Sequence, residues 1–169
     1  MLPRIADLIY DVLGLLENCE EDETIYFLVL DFVDAFFRVP LNPEERDFFT
    51  VEYAGKFLQW NRVAQVSTNG PQVFGRLAAL VGRLTQSCFD PAYNRLRIYM
   101  DDPILAIRGR EQDAHHNVAK AVLLWRCTGM DLAFPKGQFG STVCWVGHGI
   151  SINRADLSVN AAIQRGFAA

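Results

Sequence analysis

Apolar positions along the chain switch repeatedly between a helical and a strand period, and the switches set the predicted elements. Ile5, Leu8, Ile9, Val12, Leu13, Leu15 and Leu16 recur at helical spacing, which predicts an amphipathic helix over residues 3–18. The acidic run 20–23 reads as a solvated loop. Residues 24–32, TIYFLVLDF, are apolar almost without a break, as in a buried central strand. Residues 33–37 begin a turn or short helix, and Pro43 marks a break. Residues 47–60 predict a hairpin turning at Ala54-Gly55.

Pro71 suits the first turn of a helix, and Val73, Phe74, Leu77, Ala78, Leu80, Val81 and Leu84 give that helix its apolar stripe. Residues 95–100 and 103–107 read as two short strands with Asp101-Asp102 in the turn between them. Asp113 is a cap for a helix running through His116, Val118, Ala121, Val122, Leu124 and Trp125, and Gly129 stops it. A last hairpin spans 142–152. Helices and strands interleave, with several strands antiparallel neighbours. The predicted class is α+β: an antiparallel sheet with helices on one face, compatible with a ferredoxin-like split βαβ arrangement.

Composition adds limits. The 169 residues are half apolar, enough for one globular core. No apolar run is long enough to span a bilayer, and the N-terminus lacks the basic start and cleavage site of a signal peptide. The expectation is an intracellular protein, in cytoplasm or nucleus, with no membrane partner. Cys19, Cys88, Cys127 and Cys144 are scattered without a CxxC pair, which argues against zinc and against a disulfide framework. The net charge of −4 divides into −10 over residues 1–52 and +6 over residues 53–169. Arg62, Arg76, Arg83, Arg95, Arg97 and Arg108 therefore either form a phosphate-binding face or are ordinary solvated arginines.

Three carboxylates change the picture further. Asp101 and Asp102 are adjacent at a tight turn, where they repel each other, and a divalent cation with hard oxygen ligands removes that penalty. Asp31 ends the apolar strand, a costly place for a carboxylate unless it is paired, solvated or metal-bound. If the two strands lie side by side, the three can converge and hold two metal ions about 4 Å apart for in-line phosphoryl displacement.

The wording around these aspartates resembles a known family. YMDD (residues 99–102), between two apolar strands, looks like the signature hairpin of retroviral and LTR-retrotransposon reverse transcriptases. LVLDFVDAFFRVPL (28–41) is similar to that family's first palm motif, an aspartate followed by alanine and an aromatic, here Asp31, Ala35 and Phe36. QVSTNGPQVF (65–74) resembles the entry to the palm helix, with Gln65, Asn69, Gly70, Pro71 and Phe74 in matching places. TGMDLAFPKGQFG (128–140) resembles the motif that brings a lysine near the site, and CWVGHGISI (144–152) resembles the primer-grip hairpin.

The resemblance implies an RNA-directed DNA polymerase palm acting on an RNA or DNA template-primer and a dNTP, with two Mg²⁺ ions or Mn²⁺ in their place. It implies that Asp31, Asp101 and Asp102 hold the metals with the Phe32 carbonyl. Phe36 would exclude a 2′-hydroxyl, beside Ala35, and Gln65 would touch the nucleotide. Tyr99 and Met100 would line the primer terminus and sugar. Lys136 would protonate the leaving pyrophosphate, and Trp145, Val146 and Gly147 would position the primer. Two departures stand out: Val66 replaces a usual glycine, and Ala64 a usual proline. The expected organisation is residues 1–23 as a fingers remnant, 24–152 as palm with partial fingers, and 153–169 as a truncated connection to an absent thumb. Two readings stay open: a polymerase core, incomplete without fingers and thumb, or an inactive relic that keeps the palm as a nucleic-acid or protein binding module.

Overall fold

The computed structural model describes residues 2–65, 67–153 and 155–163, so Val66 lies outside the described residues. The chain runs α1 (Ile5–Leu16), β1 (Thr24–Val29), β2 (Phe32–Val33), β3 (Thr50–Tyr53), β4 (Lys56–Gln59) and α2 (Gly70–Ser87). It continues through β5 (Asn94–Tyr99), β6 (Asp102–Gly109), α3 (Glu111–Cys127), β7 (Asp131–Leu132), β8 (Gln138–Gly140), β9 (Thr142–Trp145), β10 (His148–Asn153) and β11 (Ser158–Ile163). Short 3-10 turns occupy Ala35–Arg38, Pro43–Phe49 and Phe134–Lys136.

The main sheet has the order β5-β6-β1-β8 and is antiparallel throughout. Its two central strands are buried on both faces, which is why β1 carries an unbroken apolar run. Leu28, Leu105 and Ile107 point into a core built with α2 and α3. Ile25, Phe27, Val29, Ile104 and Ala106 point the other way, into a second core with α1, Val143, Trp145 and Ile150. The α+β class is as predicted, and α2 and α3 share one face. The pattern along the chain does not anticipate that α1 and the small sheet β11-β10-β9 cover the other. Among the described residues no helix is long and apolar enough to cross a membrane.

Several boundaries move for physical reasons. The strand predicted over 24–32 leaves the main sheet at Val29, and Phe32–Val33 start a separate two-stranded ladder with Asp131–Leu132. The predicted hairpin over 47–60 keeps its Ala54-Gly55 turn, where both residues have positive φ (50° and 73°) as a type I′ turn requires. Its first residues instead complete the 3-10 turn Pro43–Phe49. Helix α3 begins at Glu111, and Asp113 accepts the Arg110 N–H (3.4 Å) from its third position. His116, placed in that helix's apolar stripe, is exposed, whereas Ala114, Ala121 and Trp125 are buried.

The 20–23 run is not simply solvated: the Arg108 Nε donates to Glu23 Oε2 at 2.6 Å and the Arg110 Nε to Asp22 Oδ2 at 2.7 Å. Two of the six candidate phosphate-binding arginines are thereby struts of the fold. Arg108 is buried on Glu23, and the Arg97 Nε donates to Asp11 Oδ2 of α1 at 2.6 Å. No disulfide joins Cys19, Cys88, Cys127 or Cys144.

Candidate active site

Antiparallel pairing of β1 with β6 brings the predicted aspartates together. The ladder pairs Val29 with Ile104, so the same register carried two residues on sets Asp31 across from Asp102. Backbone bonds extend this stitching beyond the strands. The Leu30 N–H donates to the Pro103 carbonyl (3.3 Å), and the Phe32 N–H to the Asp101 carbonyl (2.9 Å).

The hairpin turn itself is one residue earlier than predicted. Tyr99 pairs with Asp102, leaving Met100 and Asp101 as the two turn residues. Met100 takes a positive φ of 55°, a strained conformation for a long side chain, and strain of this kind is characteristic of functional loops.

Asp31, Phe32, Ala35, Phe36, Gln65, Asp101 and Lys136 line one open cleft of about 400 Å³, with Val33, Asp34, Phe37 and Ala133. The 3-10 turn Ala35–Arg38 follows Asp34, whose left-handed φ of 51° reverses the chain beneath Asp31. Phe36 is buried there, its ring 5.0 Å from Phe74 of α2. Gln65 arrives because residues 61–63 run antiparallel beside 39–41: the Leu41 N–H donates to the Asn61 carbonyl (3.0 Å) and the Val63 N–H to the Val39 carbonyl (3.0 Å). Lys136 sits at the end of the Phe134–Lys136 turn, and its Nζ donates to Asp31 Oδ2 at 2.9 Å.

The other predicted site residues lie around this cleft rather than in it. Tyr99 packs toward the second core and Met100 toward the first. Trp145 is buried, and its indole N–H donates to the Asp102 carbonyl (3.0 Å), which ties the aspartate hairpin to β9. Val146 and Gly147 form the β9–β10 turn, both at positive φ (48° and 72°).

The electrostatics are those of crowded carboxylates. Burial, reinforced by the charges of Asp101 and Asp31, pushes the Asp102 carboxyl up to about 6. Burial and the Asp31 charge also lift Asp101 above the usual carboxylate range. The Asp31 carboxylate, bonded to Lys136, holds that ammonium above the usual lysine range.

The donor chemistry fits a divalent cation, since carboxylate and carbonyl oxygens are hard ligands and the carboxylates' mutual repulsion is relieved by positive charge. As the side chains lie, no three His, Cys, Asp or Glu residues among those described stand as a metal-holding group. Asp31 is turned to Lys136.

Arg38 and Asp131 are not among the site residues that the sequence predicts. Asp131 takes Arg38 on one carboxylate oxygen and Arg126 on the other. Nothing in residue spacing marks this trio, because Arg38 and Asp131 meet only through the β2–β7 ladder.

The family described as "Reverse transcriptase (RNA-dependent DNA polymerase)" matches residues 3–150. No curated protein matches the chain. Among solved structures, a foamy viral protease-reverse transcriptase in complex with RNA/DNA hybrid is similar at TM-score 0.62 and 19% identity, covering 82% of this chain and 18% of that one. The same viral protein in complex with dsDNA gives TM-score 0.62 and 20% identity over 88% of this chain and 28% of that one. The native prototype foamy virus protease-reverse transcriptase gives 0.61 and 19% over 99% and 20%. The chain thus spans between 18% and 28% of the length of these neighbours.

Proposed function

The chain belongs to the reverse transcriptase (RNA-dependent DNA polymerase) family, and from that premise we propose that the cleft beside Asp31 and Asp101 is the nucleotidyl-transfer site of an RNA-directed DNA polymerase core. The observation that carries the reading is the meeting of Asp31, Asp101, Phe36, Gln65 and Lys136, drawn from four separate segments, on one open cleft.

In this reading Asp31, Asp101 and Asp102 hold two Mg²⁺ or Mn²⁺ ions, with the Phe32 carbonyl as a further oxygen ligand. When bound, the ions supply charge stabilisation for an in-line attack on the α-phosphate. The protein does the positioning. Phe36, wedged on Phe74, is a rigid floor under the sugar that leaves no room for a 2′-hydroxyl. Gln65 contacts the incoming dNTP. Lys136, whose ammonium Asp31 holds above the usual lysine range, is a protonated donor for the leaving pyrophosphate. Tyr99 and Met100, at the end of β5 and in the turn after it, are assigned to the primer terminus and sugar, and Trp145, Val146 and Gly147 to steadying the primer strand. The partners are an RNA or DNA template-primer and dNTP.

Calorimetric titration with Mn²⁺ tests the site: saturable binding is expected in the wild type and none in Asp101→Asn. Binding that survives that substitution at unchanged affinity would exclude the cleft as the metal site. Primer extension on an RNA template tests the reaction, and it is expected to stop in the same variant. Metal binding without any extension by the wild type favours the second reading, an inactive palm kept as a nucleic-acid or protein binding module. The Lys136–Asp31 contact, which sets a cation already on a metal-binding carboxylate, is the feature that favours it.

A further inference from the structure

We infer that Asp131, gripped by Arg38 and Arg126, is a positioning residue whose purpose is to lay Lys136 against Asp31. The role of that lysine rests on the proposed function, but the positioning itself does not. Asp131 opens β7, where it pairs with Val33 two residues after Asp31. Arg38 reaches it from the 3-10 turn under the cleft, and Arg126 from the last turn of α3. One carboxylate thus joins three elements. Arg38 donates to Asp131 through Nη2, while its Nε is buried without a partner.

From Asp131 the chain to the lysine is short and tightly held. The Ala133 N–H donates to the Asp31 carbonyl (2.9 Å), the Lys136 N–H to the Ala133 carbonyl (3.1 Å), and the Gly137 N–H to the Phe134 carbonyl (2.9 Å). Gly137 then closes the turn against the strand: a Cβ there would lie 2.8 Å from Leu30 Cδ2 and 3.0 Å from the Phe134 carbonyl. The loop is pinned at Asp131 and at Gly137, and Lys136 lies between them. A lysine side chain that is three-quarters exposed has ample rotamer freedom, and an exposed ion pair alone holds it weakly. The rigid loop explains why its ammonium is on Asp31.

Acetylation of the full-length chain, mapped by mass spectrometry without added metal, reads this directly. Lys56, Lys120 and Lys136 are the three lysines, and exposed Lys56 on the β3–β4 hairpin is the reference. We expect Asp131→Asn to raise Lys136 labelling relative to Lys56 by roughly two- to fivefold, the scale of losing an exposed ion pair. Asp31→Asn should give the same rise, and the double variant should add nothing to either. Asp131→Glu should restore protection. Unchanged Lys136 labelling in Asp131→Asn overturns the inference, and so does a rise shared by all three lysines, or failure of Asp131→Glu to restore protection. If Asp131→Asn does not fold, Arg38→Gln gives the same reading with Arg126 still on Asp131. Lys136 freed selectively in a protein that binds no Mn²⁺ would support the positioning role while overturning the proposed metal chemistry.

Discussion

Asp102 is half-buried beside two other carboxylates, and its proton is correspondingly hard to remove. The carboxyl ionises near 6 in the folded chain and near 4 when unfolded. Between those values the folded state holds a proton the unfolded chain has lost, so metal-free stability falls as pH rises through that window. Above it, ionised Asp102 is a standing cost. Asp102→Asn should therefore stabilise the metal-free protein at pH 7 by about 1 kcal/mol once solvent screening is allowed for, and by little at pH 4. Urea unfolding in chelator at both pH values measures it; an equal effect at both would mean the carboxyl is not held up. The adjacent pair was visible in the sequence as a motif. Which of its members enters the turn was not, because that depends on the Tyr99–Asp102 pairing. Arg38 and Asp131 were invisible for the same kind of reason: they lie 93 positions apart and meet through tertiary structure alone.

At the level of the helices, periodicity located the elements but drew their buried faces too wide. In α2 the buried residues are Gly70, Phe74, Ala78, Val81 and Thr85, while Val73, Leu80 and Leu84 are exposed. Helical spacing cannot say which edge of a broad apolar stripe faces the sheet, and a threonine in the core breaks the pattern outright. Its burial has a specific cause. Trp125 of α3 is fully buried, and its indole N–H donates to the Thr85 hydroxyl at 3.1 Å, the polar link between the two helices that cover this face. Thr85→Val strands the indole N–H in the core and should cost about 1–3 kcal/mol. Trp125→Phe should cost at least as much, through the lost bond and the smaller ring. The double variant should cost clearly less than the two added together, since the second change removes a group the first left unsatisfied. Additive losses in chemical denaturation would show that the bond contributes nothing.

Across the whole molecule, the two faces of the main sheet and the two halves of the charge distribution are solved together. The apolar run of β1 told of a strand covered on both sides, yet not of what covers it, because α1 reaches β5 only in three dimensions. Arg97 of β5 holds Asp11 of α1, and Arg108 of β6 holds Glu23. The acidic early part and basic later part thus neutralise each other partly inside the fold. For nucleic acid this leaves exposed arginines such as Arg76 and Arg83, seven residues apart on α2 and so on one helical face. A duplex bound over that face loses affinity with salt in proportion to the phosphates contacted. If the proposed template-primer binding uses that face, Arg76→Gln and Arg83→Gln should each flatten its log–log salt dependence by about 1. Arg97→Gln should leave that slope unchanged and instead lower the melting temperature, because it strands the largely buried Asp11 carboxylate. Fluorescence anisotropy at several salt concentrations, with thermal melts of the same proteins, separates the two roles. A flatter slope in Arg97→Gln would move this arginine from the frame of the protein to its nucleic-acid face, and the docking of α1 would then need another cause.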